Sequence, residues 1–393
     1  MRGFLTIFSS LLLIALGLLL PACSAQNAIP TQVKAEAKAT PAQSGVDTIT
    51  IAAVGDVMLG STSINETFLP PRDGQDILKA VAPILTAADI AFGNLEGPLI
   101  DSGISTKCPP PKPVKPDEIL EPSGAAKAKE VPKPIRCFAF RTPTRYGKYL
   151  KDAGFDILSL ANNHSSDFGS QGRISTRKVL DNLGIAHAGS DRNKLAMTIL
   201  DSKGRKVAFV AFAHNLIVPN INDLESAARL VKTAKKKADI VVVSFHGGAE
   251  GEGVQNVPQI TEVYAGEKRG NLPLFAKTVI NAGADLVLGH GPHVLRGVEI
   301  YKERLIVYSM GNFATYGMFN LKGAQGLTGI FEINLGMNGK FLNGKIHAGK
   351  QMGRGVPELD ESGEAVRKIR LLSQADFPLT APKIADDGSI SPH

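Results

Sequence analysis

Apolar residues recur along this chain in two alternating rhythms. Thr48-Ile49-Thr50-Ile51-Ala52-Ala53-Val54 is a β-branched run that reads as a strand ending at Gly55-Asp56. Ile77, Leu78, Val81, Ile84 and Leu85 then keep a helical period, and Ile90-Ala91-Phe92 is a second short apolar run. The same exchange continues. A helix over about 144–153 leads into a strand at 156–160, and a helix over about 170–183 precedes the short run Ile185-Ala186-His187. Residues 206–213 read as a strand, 224–236 as a helix, 240–244 as a strand, 272–282 as a helix and 285–288 as a strand. Strands at 298–301 and 305–308 close the series. Strands alternating with helices of roughly 10 to 15 residues predict an α/β layered fold.

Three stretches break the rhythm. Residues 24–46 are polar and without apolar periodicity, and read as a tether. Residues from about 101 to 137 carry many prolines and lysines, including Pro109-Pro110-Pro111, and read as an irregular surface insertion. The folded domain is expected over 48–315, with 316–356 supplying its terminal strands. Residues 357–393 are polar and partly acidic, and are expected to trail off.

The N-terminus adds an address. Arg2 precedes a largely apolar run from Phe4 to Leu20, followed by Pro21-Ala22-Cys23-Ser24. Positive charge, apolar core and small-residue site make a secretory signal. The placement of Cys23 resembles a bacterial lipobox, so residues 1–23 predict export and a lipid anchor at the cell envelope. Plain cleavage nearby, or an uncleaved anchor, are the alternatives. Export also makes the remaining pair, Cys108 and Cys137, eligible for a disulfide, although two free thiols fit the sequence equally. The composition is that of a globular protein, 43% hydrophobic and 21% charged, with a net charge of +7. With no tryptophan and 6% aromatics, no base-stacking surface accompanies that charge, which argues against a nucleic-acid partner.

The candidate chemistry lies where the strands end. Asp56 follows the first, Gly93-Asn94-Leu95-Glu96-Gly97 the second, and Asn162-Asn163-His164 the third. His246-Gly247-Gly248-Ala249-Glu250 and Gly289-His290-Gly291-Pro292-His293 follow two more. In open α/β sheets ligands bind outside the carboxyl ends of strands, so these loops predict one shared pocket. Imidazole and carboxylate suit Zn, Fe or Mn, and an asparagine can ligate through its carbonyl oxygen. Asp56, Glu96, Asn163, His246, His290 and His293 are therefore the expected ligands of one or two divalent ions. His164 is the expected acid, with Asp167 and Glu250 placed to orient it or take a proton. The chain has eight histidines. His187, His214, His347 and His393 read as ordinary structural or surface groups.

Six ordered segments carry a resemblance: 55–60, 93–96, 161–164 with Asp167 and Gly169, 244–247, 289–293 and 308–313. Together they resemble the CapA (PgsA) capsule-synthesis family, whose domain is similar to the calcineurin-like metallophosphoesterases. The resemblance covers about residues 48–315. It implies a four-layer α/β/β/α sandwich of two mixed sheets with helices outside, and a link to poly-γ-glutamate capsule synthesis or export. Asp56, Asn163, His164 and His246 match the phosphoesterase pattern. Met58 stands where that pattern has a histidine, and Asn94 where it has a bridging aspartate. His290 and His293 are separated by two residues where the pattern has one. A standard two-metal centre is therefore in doubt, and a one-metal site or a metal-free polar pocket stays open.

Two functions follow from the sequence. One is a metal-dependent hydrolase or transferase acting on an anionic group outside the cytoplasm. The other is a non-catalytic lipoprotein that binds an acidic polymer, its precursor, or membrane subunits of the capsule-synthesis machinery. Lysines within 232–237 suit a polyanion, and equally a solvated helix face. A solute-binding lipoprotein leaves the histidine clustering unexplained.

Overall fold

The computed structural model describes residues 48–108 and 137–393, together with the backbone of Val33–Lys34. The signal segment, Cys23, most of the tether and residues 109–136 of the insertion lie outside the described residues. Within the tether, Val33–Lys34 pairs in parallel with Leu200–Asp201.

The opening strand, Thr48–Met58, runs four residues past the apolar stretch and carries Asp56 inside it. It pairs in parallel with Ile90–Leu95, which pairs with Ile157–Ser159, which pairs with Ala186–Ala188. Its other side takes Leu327–Gly336 antiparallel and Asn312–Thr315 parallel. A second mixed sheet has Arg205–Ala213, Ile240–His246, Leu286–His290 and Arg304–Val307 side by side and parallel. Val298–Tyr301 and Met197–Ser202 flank them antiparallel. Met197–Ser202 follows no clear apolar pattern in the sequence.

Alternation along the strands stacks the layers. Ile49, Ile51 and Ala53 face Phe209, Val242, Leu286 and Leu288 in a core between the sheets. Ala52 and Val54 point the other way, toward Leu85, Tyr146 and Leu150. Val241, Val243 and Phe245 point outward in their turn, onto Val231, Phe275 and Val279 of the helices Leu224–Lys235 and Leu272–Asn281. Helix, sheet, sheet, helix is the four-layer sandwich expected.

Local chemistry sets the helix ends. The Asp223 side chain accepts from the Ser226 N–H, and Lys232 and Lys235 sit in the last turn, where cations suit the carbonyl end. Lys235 also pairs with Asp285 at 2.8 Å, so part of the lysine-rich stretch completes the helix terminus. The single helix expected over 77–85 is cut short. Its residues form turns up to Val81, and only Ala82–Ala87 is helical. Pro83 has no N–H to continue an earlier helix, and is tolerated in a first turn.

The expected trailing tail is a correction. Glu364–Asp376 is a helix whose Ala365, Val366 and Ile369 enter the inter-sheet core, and Ile384 and Ile390 follow them. Apolar residues spaced at helical intervals among charged ones are amphipathic, not disordered. Cys108 and Cys137 form a disulfide. Among the described residues no helix is long and apolar enough to cross a membrane.

Gly55 lies where the opening strand passes a turn, and a Cβ there would run into the carbonyl oxygens of Gly311 and Met310. Gly55→Ala is expected to lower the unfolding free energy by about 3 kcal/mol, the upper end of overpacking costs. A urea midpoint that falls with unchanged slope is the measurement.

Candidate metal centre

Strand register assembles the site. Asp56 lies opposite Asn94 on one side and Asn312 on the other. In the second sheet, His246 lies opposite His290. The two pairs face each other across the sandwich, with His290 Nδ1 3.4 Å from Asp56 Oδ1 and His246 Nδ1 3.7 Å from Glu96 Oε2. Gly291 lets the loops close, because a Cβ there would lie 2.6 Å from the Gly247 carbonyl oxygen. Two residues on, His293 turns back with φ at 59°, a conformation few non-glycine residues adopt. Its Nδ1 donates to Asp56 Oδ2 and Asn312 Oδ1, each at 3.0 Å, and these bonds hold the strained turn.

Asn94 takes a role the phosphoesterase pattern does not give it. Its Nδ2 donates to Asp56 Oδ1 and to Glu96 Oε2, both at 2.9 Å, and so ties the two carboxylates together without adding charge. Its Oδ1 accepts from Asn162 Nδ2 at 3.1 Å, and Asn162 Oδ1 accepts from the His164 N–H at 3.0 Å. Side-chain amides thus connect Asp56 to the His164 loop. His164 Nδ1 is 2.8 Å from Asp167 Oδ2, which also accepts from the Phe140 N–H at 2.7 Å. The Phe140 ring stacks on His164 with centroids 4.0 Å apart.

Burial raises the Asp56 carboxyl, yet the imidazoles of His290 and His293 set against it, the second through a hydrogen bond, outweigh burial and hold the group well below the usual range. Burial drives Glu96 well above its ordinary value, helped by the charges of Asp56 and Glu250. Burial pushes His246 well down, so its ring is neutral, the form that ligates metals. For His293 burial is outweighed by the Asp56 hydrogen bond and charge, and the net shift is upward. Burial also lowers His164, against Asp167.

The expected residues do not all meet at one point. Asp56, Glu96 and His293 offer three ligand atoms within 4.8 Å of one another, with His246 and His290 beside them. Asn163 lies on the His164 side, its Oδ1 buried and without a hydrogen-bond partner among the described residues. Glu250 is at the edge, 3.9 Å from His293 Nε2 and bound at 2.8 Å to Arg269. His214, read as an ordinary histidine, lies behind the site with its ring 6.2 Å from that of His246, and is pushed down to about 4 chiefly by burial. His187 and His347 are hydrogen-bonded to Asp181 and Glu332 away from the pocket. Asn162 and Asn312 escaped the sequence reading, although both stand inside the ordered motifs.

The donor set fits a divalent cation. His246 and His290 are fully buried, yet among the described residues neither nitrogen of either ring makes a hydrogen bond, and Glu96 Oε1 makes none. Buried polar atoms left alone cost about 1–3 kcal/mol each. A cation among them could take one nitrogen of each ring and Glu96 Oε1 together.

These layers and this set of strand-end carboxylates and imidazoles define a four-layer α/β protein with a metal-capable site at its strand ends. A family model described as bacterial capsule synthesis protein PGA_cap matches residues 50–316, and the chain belongs to that family. It is 29% identical over 281 residues to the PGA biosynthesis protein CapA of Bacillus subtilis (strain 168), across 68% of this chain and 63% of that protein. The match to the capsule biosynthesis protein CapA of Bacillus anthracis is also 29% identical, over 67% of this chain and 59% of that one. The chain therefore spans about six-tenths of those relatives' length. Among solved structures, a hypothetical protein from Thermus thermophilus is similar at TM-score 0.44 and 14% identity, over 76% of this chain and 98% of that one. A putative 5'-nucleotidase from Staphylococcus aureus, in complex with alpha-ketoglutarate, has TM-score 0.42 and 13% identity, over 80% of this chain and 54% of that one.

Proposed function

We propose that this is an exported protein, anchored at the cell envelope through Cys23, that takes part in the synthesis or export of a poly-γ-glutamate-type capsule polymer. Its pocket hydrolyses or transfers an anionic group with the help of a divalent ion. The observation that carries the reading is the pair of buried imidazoles, His246 and His290, which make no hydrogen bond among the described residues and lie beside the Asp56 carboxylate. Asp56, Glu96, His246, His290 and His293 would hold the ion, and Asn163 could add its carbonyl oxygen. A divalent ion held there supplies Lewis acidity toward an anionic group. The chain's own residues do the rest. Asn94 keeps the two carboxylates together, and Asp167 orients His164 for proton transfer at Nε2, which makes no hydrogen bond among the described residues. The CapA relatives support the polymer, and the poly-glutamate chain is the acidic substrate class such a site suits.

Elemental analysis of the purified protein, paired with assays on phosphodiesters and γ-linked glutamate oligomers, tests this. About one or two equivalents of Zn, Fe or Mn are expected, with turnover that chelation abolishes. His164→Ala is expected to keep the metal and the fold while losing about 100-fold or more in rate. A protein free of metal and turnover that still binds the polymer would make it a non-catalytic envelope component.

A further inference from the structure

The arm that enters the Cys108–Cys137 disulfide sets a cation beside the site. Residues 105–107 are pinned against the His164 loop: Ser105 Oγ donates to the Asp167 carbonyl at 2.9 Å, and the Thr106 N–H donates to the same oxygen at 2.9 Å. On the other arm of the disulfide, the Phe140 ring stacks on His164. Lys107 is thereby held with Nζ 3.2 Å from His164 Nδ1, 3.3 Å from the Asn163 carbonyl and 3.5 Å from Asp167 Oδ1.

Only one of those contacts, the hydrogen bond Nζ donates to the Asn163 carbonyl, satisfies the ammonium. Asp167 Oδ2 is only an acceptor when ionised, and at 2.8 Å it takes the Nδ1 hydrogen of His164. Nδ1 then has no lone pair for Lys107, and an ammonium faces an N–H. The distance to Asp167 Oδ1 also exceeds the roughly 2.7–2.9 Å of a charge-assisted bond. Nearby arginines differ. Arg141 spends its nitrogens on Thr62 and Gly103, Arg269 is locked between Glu250 and Glu267, and Arg296 is locked by Glu262. Lys107 keeps an unspent donor, its side chain 35% exposed.

We infer that Lys107 is an anion-binding residue of the pocket, which takes a carboxylate or phosphate group of the substrate beside His164. An anionic oxygen there replaces the unfavourable ammonium–imidazole contact with a charge-assisted hydrogen bond. A chain of repeated carboxylates would place one beside the group being processed, so Lys107 selects polyanionic over singly charged substrates. The inference rests on the hydrolase or transferase reading above.

Its test is equilibrium binding to the full chain by titration calorimetry, with inorganic phosphate and a γ-linked glutamate trimer as probes. Metal content is measured on the same samples. Lys107→Met is expected to weaken binding of at least one probe by about 10-fold or more. Lys107→Arg should stay within about threefold, since the charge remains. Raising salt should weaken the wild type more than Lys107→Met. Which probe loses more tells phosphate from carboxylate. Met and wild type binding both probes equally overturns the inference, with circular dichroism confirming that both are folded. A metal-loaded wild type that binds neither probe overturns it alone. Lys107-dependent binding in a protein without metal sinks the metal reading and leaves Lys107 in place.

Discussion

His246→Leu is expected to cost more than about 100-fold in metal affinity and yet leave the metal-free protein at least as stable as the wild type. Loss of an outer partner of a metal ligand alone costs about 10- to 100-fold, and a ligand costs more. The second half follows from what the ring lacks. His246 is fully buried and neutral, and among the described residues neither nitrogen makes a hydrogen bond. An apolar side chain of similar size removes two unsatisfied atoms, so the chelated protein should gain about 1 kcal/mol. Asp56→Ala supplies the contrast. It should lose metal equally, but it also strips acceptors from Asn94 and His293, whose bonds are 2.9 and 3.0 Å. The chelated variant should then fall by about 2–3 kcal/mol, because buried donors are left alone. Calorimetric metal titration and urea unfolding in excess chelator read both quantities. Unchanged metal binding in His246→Leu would falsify the ligand assignment. A chelated His246→Leu protein destabilised by more than about 2 kcal/mol would mean that the ring has partners after all.

That opposition between stability and function marks the boundary of what the sequence discloses. The layered fold was legible because strand alternation is local: Ile49, Ile51 and Ala53 against Ala52 and Val54 state two buried faces in seven residues. The site was legible in outline because glycines and polar groups close successive strands. What the sequence could not state was register. Asp56 meets Asn94 and Asn312 because strands far apart in the chain pair in one alignment, and no local signal fixes it. Asn94 read as a lost ligand, and its donation to both carboxylates became visible only with that alignment. The tail failed for a different reason. Ala365, Val366 and Ile369 sit among charges, and only the open end of the inter-sheet core makes their spacing decisive. Lys107 was hidden in an insertion whose composition suggested no structure, until the disulfide set it against His164.

Arg296→Met is expected to lower the unfolding free energy by about 3–5 kcal/mol, the usual cost of breaking a buried ion pair. Arg296 is completely buried, and its two terminal nitrogens donate to Glu262 Oε1 and Oε2 at 2.8 Å each. Its Nε donates to the Val254 carbonyl at 2.9 Å, and Glu262 Oε2 also accepts from the Ala249 N–H at 3.0 Å. The pair therefore clamps the loop that leaves His246 and carries Glu250. Removing the guanidinium strands a buried carboxylate, which is what makes the loss large. Arg296→Met combined with Glu262→Gln should recover most of it, because the new amide oxygen still accepts from Ala249 and no charge is left unpaired. A double-mutant cycle by urea unfolding measures the coupling, expected at about 2–3 kcal/mol. Metal affinity tells the remaining part. If the pair exists to fix the loop, the double variant regains stability but binds metal more weakly than the wild type, since Val254 has lost its donor and the path from His246 to Glu250 is free to shift. Full recovery of both would make the ion pair replaceable packing, with no part in shaping the site.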